Sequence, residues 1–399
     1  MIYLDHAATS LPKPPVVVTA MQSYLETAGN PGRSGHRPAR AAEEAIWDAR
    51  RAVADLLSGD EPDRVIFTVN ATTAMNTALN GLLGPGDRVL TSAFEHNSTV
   101  RPVHALTARE VSWTVVPPAP DSPLDLERLE AELARGGVRV VTVAHASNVT
   151  GAVIPLKPVH ALARHYGAAL VVDAAQTVGH LPVHVDDADV MVFAGHKGLF
   201  GPQGTGGMYV SDRVVIRPLV RGGTGGRTEL RDQPRWLPWA LESGTPNGPG
   251  VVGLGAAARV LRQQDPGRIR LRERDLYDLL MSGARQVPGV TWHGWPSTES
   301  PTPVVSITFA GLSASDASAL LEERHDILVR GGLHCAPLAH ETLGTAPGGT
   351  VRMSLSHLNT EAEVKAAIEG ITDVAALARS LPARNGTATM RPASSGRRL

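Results

Sequence analysis

An amine and an acid on two neighbouring strand ends carry the most chemical information in this chain. Lys197 follows an apolar run from Asp189 to Ala194 and sits in AGHKG, while Asp173 closes another run in VVDAAQ. A lysine at a strand tip beside glycine backbone can lose its proton and condense with an aldehyde cofactor. A carboxylate opposite can hold a pyridine nitrogen protonated. Those are the two fixed points that pyridoxal 5'-phosphate (PLP) chemistry requires. A surface lysine or a strand-end aspartate alone is commonplace, but Gln176, His196 and the flanking glycines make the pair a candidate site.

Further groups fit the same chemistry. Thr72 and Thr73 precede an apolar helical run through Met75, Leu79 and Leu82, so hydroxyls and unpaired backbone donors at a helix start can cradle a phosphate or simply cap the helix. His96 follows an apolar strand, and its imidazole can lie over a pyridine ring and pass protons. Asn148 and Gln176 can reach the phenolic oxygen of such a cofactor or bond to loop backbone. His196 can donate to the phosphate and help keep Lys197 neutral.

A second stretch, VRGGLHCAPLAH from Val329 to His340, holds the only thiol, Cys335, behind two glycines and beside His334. The glycines suggest a loop that swings into a cleft, and the histidine can favour thiolate. Arg330 and Arg352 bracket this loop at strand-like positions, where a guanidinium fork can bind an amino acid carboxylate.

Other chemistries are excluded. GPQGTGG at 201–207 and RGGTGG at 221–226 match neither nucleotide-binding glycine pattern. His180 and His184 lack a helical register and a second ligand cluster, so no metal site is expected. No serine nucleophile elbow occurs. With 38 basic and 39 acidic residues, no global field steers the chain toward nucleic acid or an anionic membrane. One cysteine rules out an internal disulfide. The start has neither a signal-peptide pattern nor a long apolar run, and we expect a cytoplasmic protein.

These groups need a scaffold. Short β-branched runs at 64–69, 88–90, 138–143, 170–173, 190–193 and 207–210 alternate with helical periodicity at 40–57 and 126–133. Alternation of this kind predicts an α/β fold whose mainly parallel sheet is covered on both faces, and ligands collect at the carboxyl ends of such strands. The clusters at 70–73, 95–97, 147–151, 173–176 and 195–197 lie there. Thr245 to Gly250 predicts a domain junction before one long charged helical stretch, about 253 to 286. The C-terminal part then reads strand, helix, strand, strand, helix, with a capping box of Thr360 and Glu363 opening the last helix. Beyond 382 the composition loses periodicity, which predicts a disordered tail.

Taken together, the motifs resemble the class V aminotransferase superfamily and, within it, the cysteine desulfurase and selenocysteine lyase family, in its compact-loop group. The likeness runs from YLDHAAT to the helix after HLNT. It implies PLP fold type I, aspartate aminotransferase-like, with a seven-stranded sheet. Residues 1–14 would form an arm on the small-domain side, 15–252 the large PLP-binding domain, 253–380 a smaller α+β domain and 381–399 the tail. Lys197 would join the cofactor, Asp173 partner its ring nitrogen, His96 stack on the ring, and Asn148 and Gln176 contact the phenolic oxygen. Thr73, His196 and, from a second subunit of a homodimer, Thr245 would hold the phosphate. Cys335 would take sulfur as a persulfide from L-cysteine, leaving L-alanine, with Arg330 and Arg352 on the substrate carboxylate and a sulfur-acceptor protein beyond. Ala194, Gly331 and Leu333 depart from residues common in that group. The rivals are a PLP lyase on an S-substituted cysteine, a class V aminotransferase, and a non-catalytic scaffold that binds a sulfur carrier.

Overall fold

The computed structural model describes residues 1–32, 34–225, 231–297 and 299–380; the expected tail, 381–399, lies outside the described residues. The chain opens with β1 (Ile2–Tyr3), α1 (Pro15–Thr27) and α2 (Arg37–Leu56). Strands and helices then alternate: β2 (Val65–Thr68), α3 (Ala71–Leu82), β3 (Arg88–Ser92), α4 (Asn97–Thr107), β4 (Ser112–Val116), α5 (Leu126–Ala134), β5 (Val138–Ala144), α6 (Leu156–His165), β6 (Ala169–Asp173), β7 (Val190–Ala194) and β8 (Gly206–Val210). The sheet order is β2-β8-β7-β6-β5-β3-β4, and only β8 runs against its neighbours. The other six strands therefore share one carboxyl edge.

Continuous apolar runs form these strands because both faces are buried. Successive side chains point to opposite faces, so Val141, Val143, Leu170, Val172, Met191 and Phe193 enter one core. Val140, Val171, Val190 and Val192 enter the other. Each such buried aliphatic side chain contributes about 1.5–3 kcal/mol. A sheet sandwiched this way is stiff, and its strand ends hold side chains in fixed places.

The predicted long helix at 253–286 is two helices, α7 (Gly248–Gln263) and α8 (Pro266–Ala284). Asn247 caps the first by accepting from the Gly250 N–H at 3.2 Å, and Pro249 in the first turn costs no hydrogen bond. Asp265, at φ +62°, breaks the run and caps α8 through the Gly267 N–H. α7 packs closely on α1 and α2: a Cβ on Gly255 would lie 2.5 Å from Ala49 Cα. Leu254, Ala257 and Leu261 thus belong to the large lobe, whereas Leu276, Leu280 and Met281 of α8 enter a separate core. Ile269, early in α8, still belongs to the large-lobe core, so the two cores meet along α8.

The smaller lobe adds β9 (Val290–His293), β10 (Val304–Phe309), α9 (Ala314–His325), β11 (Ile327–Leu328), β12 (Arg330–Gly332), α10 (Pro337–Thr342), β13 (Thr350–Ser354) and α11 (Glu361–Ser380). Its antiparallel sheet runs β12-β13-β10-β9. β1 pairs with β11, which fixes the N-terminal arm to this lobe. The capping box forms, with the Thr360 N–H donating to Glu363 and the Glu363 N–H to Thr360 Oγ1.

Candidate active site

Five parallel strand ends converge on one cavity of about 240 Å³. Thr72 comes from the start of α3 after β2, His96 from the turn after β3, and Asn148 from the loop after β5. Asp173 and Gln176 follow β6, while His196 and Lys197 follow β7. Arg330 and Arg352 close the cavity from the smaller lobe. They are register partners on β12 and β13, so both project from one face of that sheet.

The expected charge states follow from burial. Desolvation lowers Lys197 to about 8; Asp173 opposes the shift, and Arg352 and Arg330 reinforce it. His96 falls to about 4 through burial and the nearby Lys197, and His196 falls to about 4 for the same two reasons, with Lys13 adding to them. Asp173 accepts from the Ala175 N–H and from Ser98 Oγ, each at 3.0 Å. Asn148 donates to the His334 carbonyl at 2.8 Å, and Gln176 to the Ala7 carbonyl at 3.1 Å. The carbonyl of His196 takes four donors from the N-terminal arm: Ser10 N–H, Thr9 Oγ1, Ser10 Oγ and Lys13 Nζ. That anchorage sets the peptide carrying Lys197.

Two predicted residues point elsewhere. Thr73 Oγ1 bonds to the Asn70 side chain at 3.1 Å, and Thr73 lines an adjoining cavity of about 340 Å³ together with Thr245. Of the adjacent threonines, Thr72 faces Lys197's cavity. Neither Thr73 nor Thr245 reaches it within one chain.

The thiol loop also differs from expectation. Cys335 is exposed and does not line the cavity, while its neighbour His334 does. Both adopt positive φ, +51° and +57°. The loop is pinned: Asn97 N–H donates to the Cys335 carbonyl at 2.7 Å, and Asn148 holds the His334 carbonyl. Gly331 serves close approach, since a Cβ there would lie 2.3 Å from the Ala314 carbonyl oxygen, whereas Gly332 supplies a φ of +121°. His334 is buried and lowered to about 2 by desolvation, then by Arg352. It is neutral and brings no cation to the thiol, which corrects that expectation.

Sequence reasoning missed Asp5 and Ser98. Arg352 is 1% exposed; it donates to Asp5 Oδ1 at 2.7 Å and to the Asn148 carbonyl at 3.2 Å. Among the described residues its buried Nε has no partner, while Arg352 itself lines the cavity. The motif YLDHAAT contained Asp5, but nothing in it names a partner 347 residues away. His180, set aside as a metal ligand, instead bonds to Glu273 at 2.9 Å.

The donor set fits PLP. His196 Nδ1 is buried without a partner, and beside it stand the start of α3 with the Thr72 hydroxyl, a lysine of lowered proton affinity and a buried carboxylate. An orphaned buried donor calls for an absent acceptor, which a phosphate supplies.

Comparisons with known proteins agree with this geometry. The family model described as aminotransferase class-V matches residues 2–367. A probable cysteine desulfurase of Pyrococcus abyssi is 32% identical over 92% of each chain. A cysteine desulfurase of Escherichia coli is 31% identical over 93% of this chain and 92% of its own. Among solved structures, the apo cysteine desulfurase of Thermococcus onnurineus superposes with a TM-score of 0.87 at 31% identity, covering 95% of both chains. A long match in sequence and a near-complete match in fold lead to one conclusion: this chain belongs to the class-V aminotransferase family, in its cysteine desulfurase group.

Proposed function

We propose that this chain is a PLP-dependent cysteine desulfurase, which moves the sulfur of L-cysteine onto Cys335 and releases L-alanine. The observation that carries the reading is a lysine of lowered proton affinity and a buried aspartate in one cavity, with the chain's sole thiol on a loop pinned to its wall. The cysteine desulfurase relatives support it.

Lys197 would join the cofactor and Asp173 would face its ring nitrogen. His96 would cover the ring, and Asn148 and Gln176, each with one amide hydrogen left over, would reach its phenolic oxygen. Thr72 and His196 would bind the phosphate, with Thr73 and Thr245 completing a partner's site in a homodimer. Bound there, PLP supplies an electron sink for the substrate α-carbon. Lys197 offers a larger neutral fraction near pH 7 than a free lysine, so it can take the α-proton. Arg352, aimed by Asp5, and Arg330 hold the substrate carboxylate and orient that proton toward Lys197. Cys335, as thiolate, attacks the substrate sulfur; the new S–S bond forms as the Cβ–S bond breaks. The electron pair of the broken bond goes to carbon, which is protonated to alanine, and no external oxidant is consumed.

Among the described residues no helix is long and apolar enough to cross a membrane; we place the enzyme in the cytoplasm, delivering sulfur to an acceptor protein. Product analysis with L-cysteine tests the reading. Desulfuration gives alanine and one sulfur atom added to Cys335. Pyruvate and ammonia with an unmodified thiol would mean elimination, a keto acid formed only with an amino acceptor would mean transamination, and no product a scaffold.

A further inference from the structure

Ser98 stands between two groups assigned to the cofactor. It is 4% exposed, lines the cavity, and occupies the first turn of α4. Its backbone N–H donates to His96 Nδ1 at 3.0 Å. Its Oγ lies 3.0 Å from Asp173 Oδ2 and also 3.0 Å from His96 Nδ1.

Counting protons decides how these contacts are shared. A carboxylate only accepts, a serine hydroxyl has one proton, and an imidazole nitrogen that accepts has one in-plane lone pair. The backbone N–H already fills the Nδ1 lone pair, so the hydroxyl proton goes to Asp173. Nδ1 is then bare, and the neutral imidazole carries its proton on Nε2. Among the described residues Nε2 has no hydrogen-bond partner, and His96 lines the cavity, so Nε2 remains for it. Asp173 has two donors, Ala175 N–H and Ser98 Oγ.

We propose that Ser98 is a positioning residue for this reaction: its hydroxyl holds the Asp173 carboxylate, and its backbone fixes His96 as the Nε2–H tautomer that presents a proton to substrate and cofactor. The proposal rests on the PLP reading above. Removing the hydroxyl leaves Asp173 one donor, the Ala175 N–H, and loosens the orientation in which it would face the ring nitrogen.

The test is the pH titration of the visible absorbance of PLP-loaded protein, compared between wild type, Ser98→Ala and Ser98→Thr. In S98A the midpoint of the band moves up by about one pH unit. Its kcat falls about tenfold, KM for cysteine changes less than about twofold, and S98T restores both midpoint and kcat. In protein labelled with 15N-histidine, the unprotonated nitrogen of His96 is Nδ1. A loaded S98A with the wild-type midpoint and kcat, an S98T that behaves as S98A, or a protonated Nδ1 overturns the proposal. Should S98A fold but not load, Ser98→Cys, which fills the space with a poor donor, decides by the same criteria. Wild-type protein without a band refutes the PLP reading instead, so the two failures are distinguishable.

Discussion

The floor of the cavity and the thiol loop solve the same positioning problem in opposite ways. Lys197, Asp173 and His96 stand on the ends of buried parallel strands, where two apolar cores fix the backbone before any polar bond is made. Cys335 is supported by a much smaller apolar cluster, in which its neighbour Ala336 packs with Phe94 and Val149. Its loop holds two consecutive residues at positive φ, a conformation that costs about 1 kcal/mol or more each. It is kept there by bonds from Asn97, next to His96 at the start of α4, and from Asn148, which lines the cavity. On the proposed reading, electron-sink chemistry rests on the fold, and sulfur transfer rests on a loop that the floor helps to hold in place. The two functions should be separable from the loop side and inseparable from the floor side.

The largest effect should come from the floor. Lys197→Ala removes both functions: the visible band disappears and alanine production falls by at least about 100-fold, measured by absorbance and amino acid analysis. Retention of either would break the hierarchy. Next, Cys335→Ala should keep the band and its position while alanine and persulfide formation drop to background, as read by mass spectrometry; a lost band would show that the loop supports the floor. A backbone change sharpens the contrast. Gly349 has φ +73°, and a Cβ there would lie 2.3 Å from Gly332 carbonyl atoms, so Gly349→Ala should displace the loop. We expect a loss of about 1–3 kcal/mol in stability and slower persulfide formation with unchanged cofactor binding; equal slowing of both would count against separability.

The smallest effect is a pH dependence of the floor alone. In cofactor-free protein Lys197 lies near 8, below its unfolded value of about 10.4. Between those values the unfolded chain binds more protons, so stability of the apo form rises with pH across that window. The neutral amine is the reactive form. Capture of PLP, followed by stopped-flow absorbance, should therefore accelerate about tenfold per pH unit below 8 and level off above. A rate that keeps climbing to pH 10 would mean an unshifted lysine.

The floor was legible in sequence because each strand is an apolar run that ends abruptly in a functional group, as at Asp173 and Lys197. The loop's thiol was legible and its geometry was not: a lone cysteine beside glycines suggests mobility, whereas positive φ at His334 and Cys335 goes with partners in α4 and after β5. Thr72 and Thr73 illustrate a local limit. Neighbours on a helix point about 100° apart, and only the rotation of α3 decides which hydroxyl faces Lys197. Asp5 and Ser98 mark the long-range limit, since their roles exist only once the arm meets β13 and α4 meets β6. The join expected at 252–253 rested on the glycine and proline run Thr245 to Gly250, of which Gly248 to Gly250 form the first turn of α7.

The central claim is that Lys197 is the residue joined to PLP. Borohydride reduction of the loaded protein followed by peptide mapping tests it directly: the pyridoxyl label should fall on the peptide containing Lys197. A label on Lys13, Lys157 or Lys365, the other lysines of the chain, or no label at all, would contradict it.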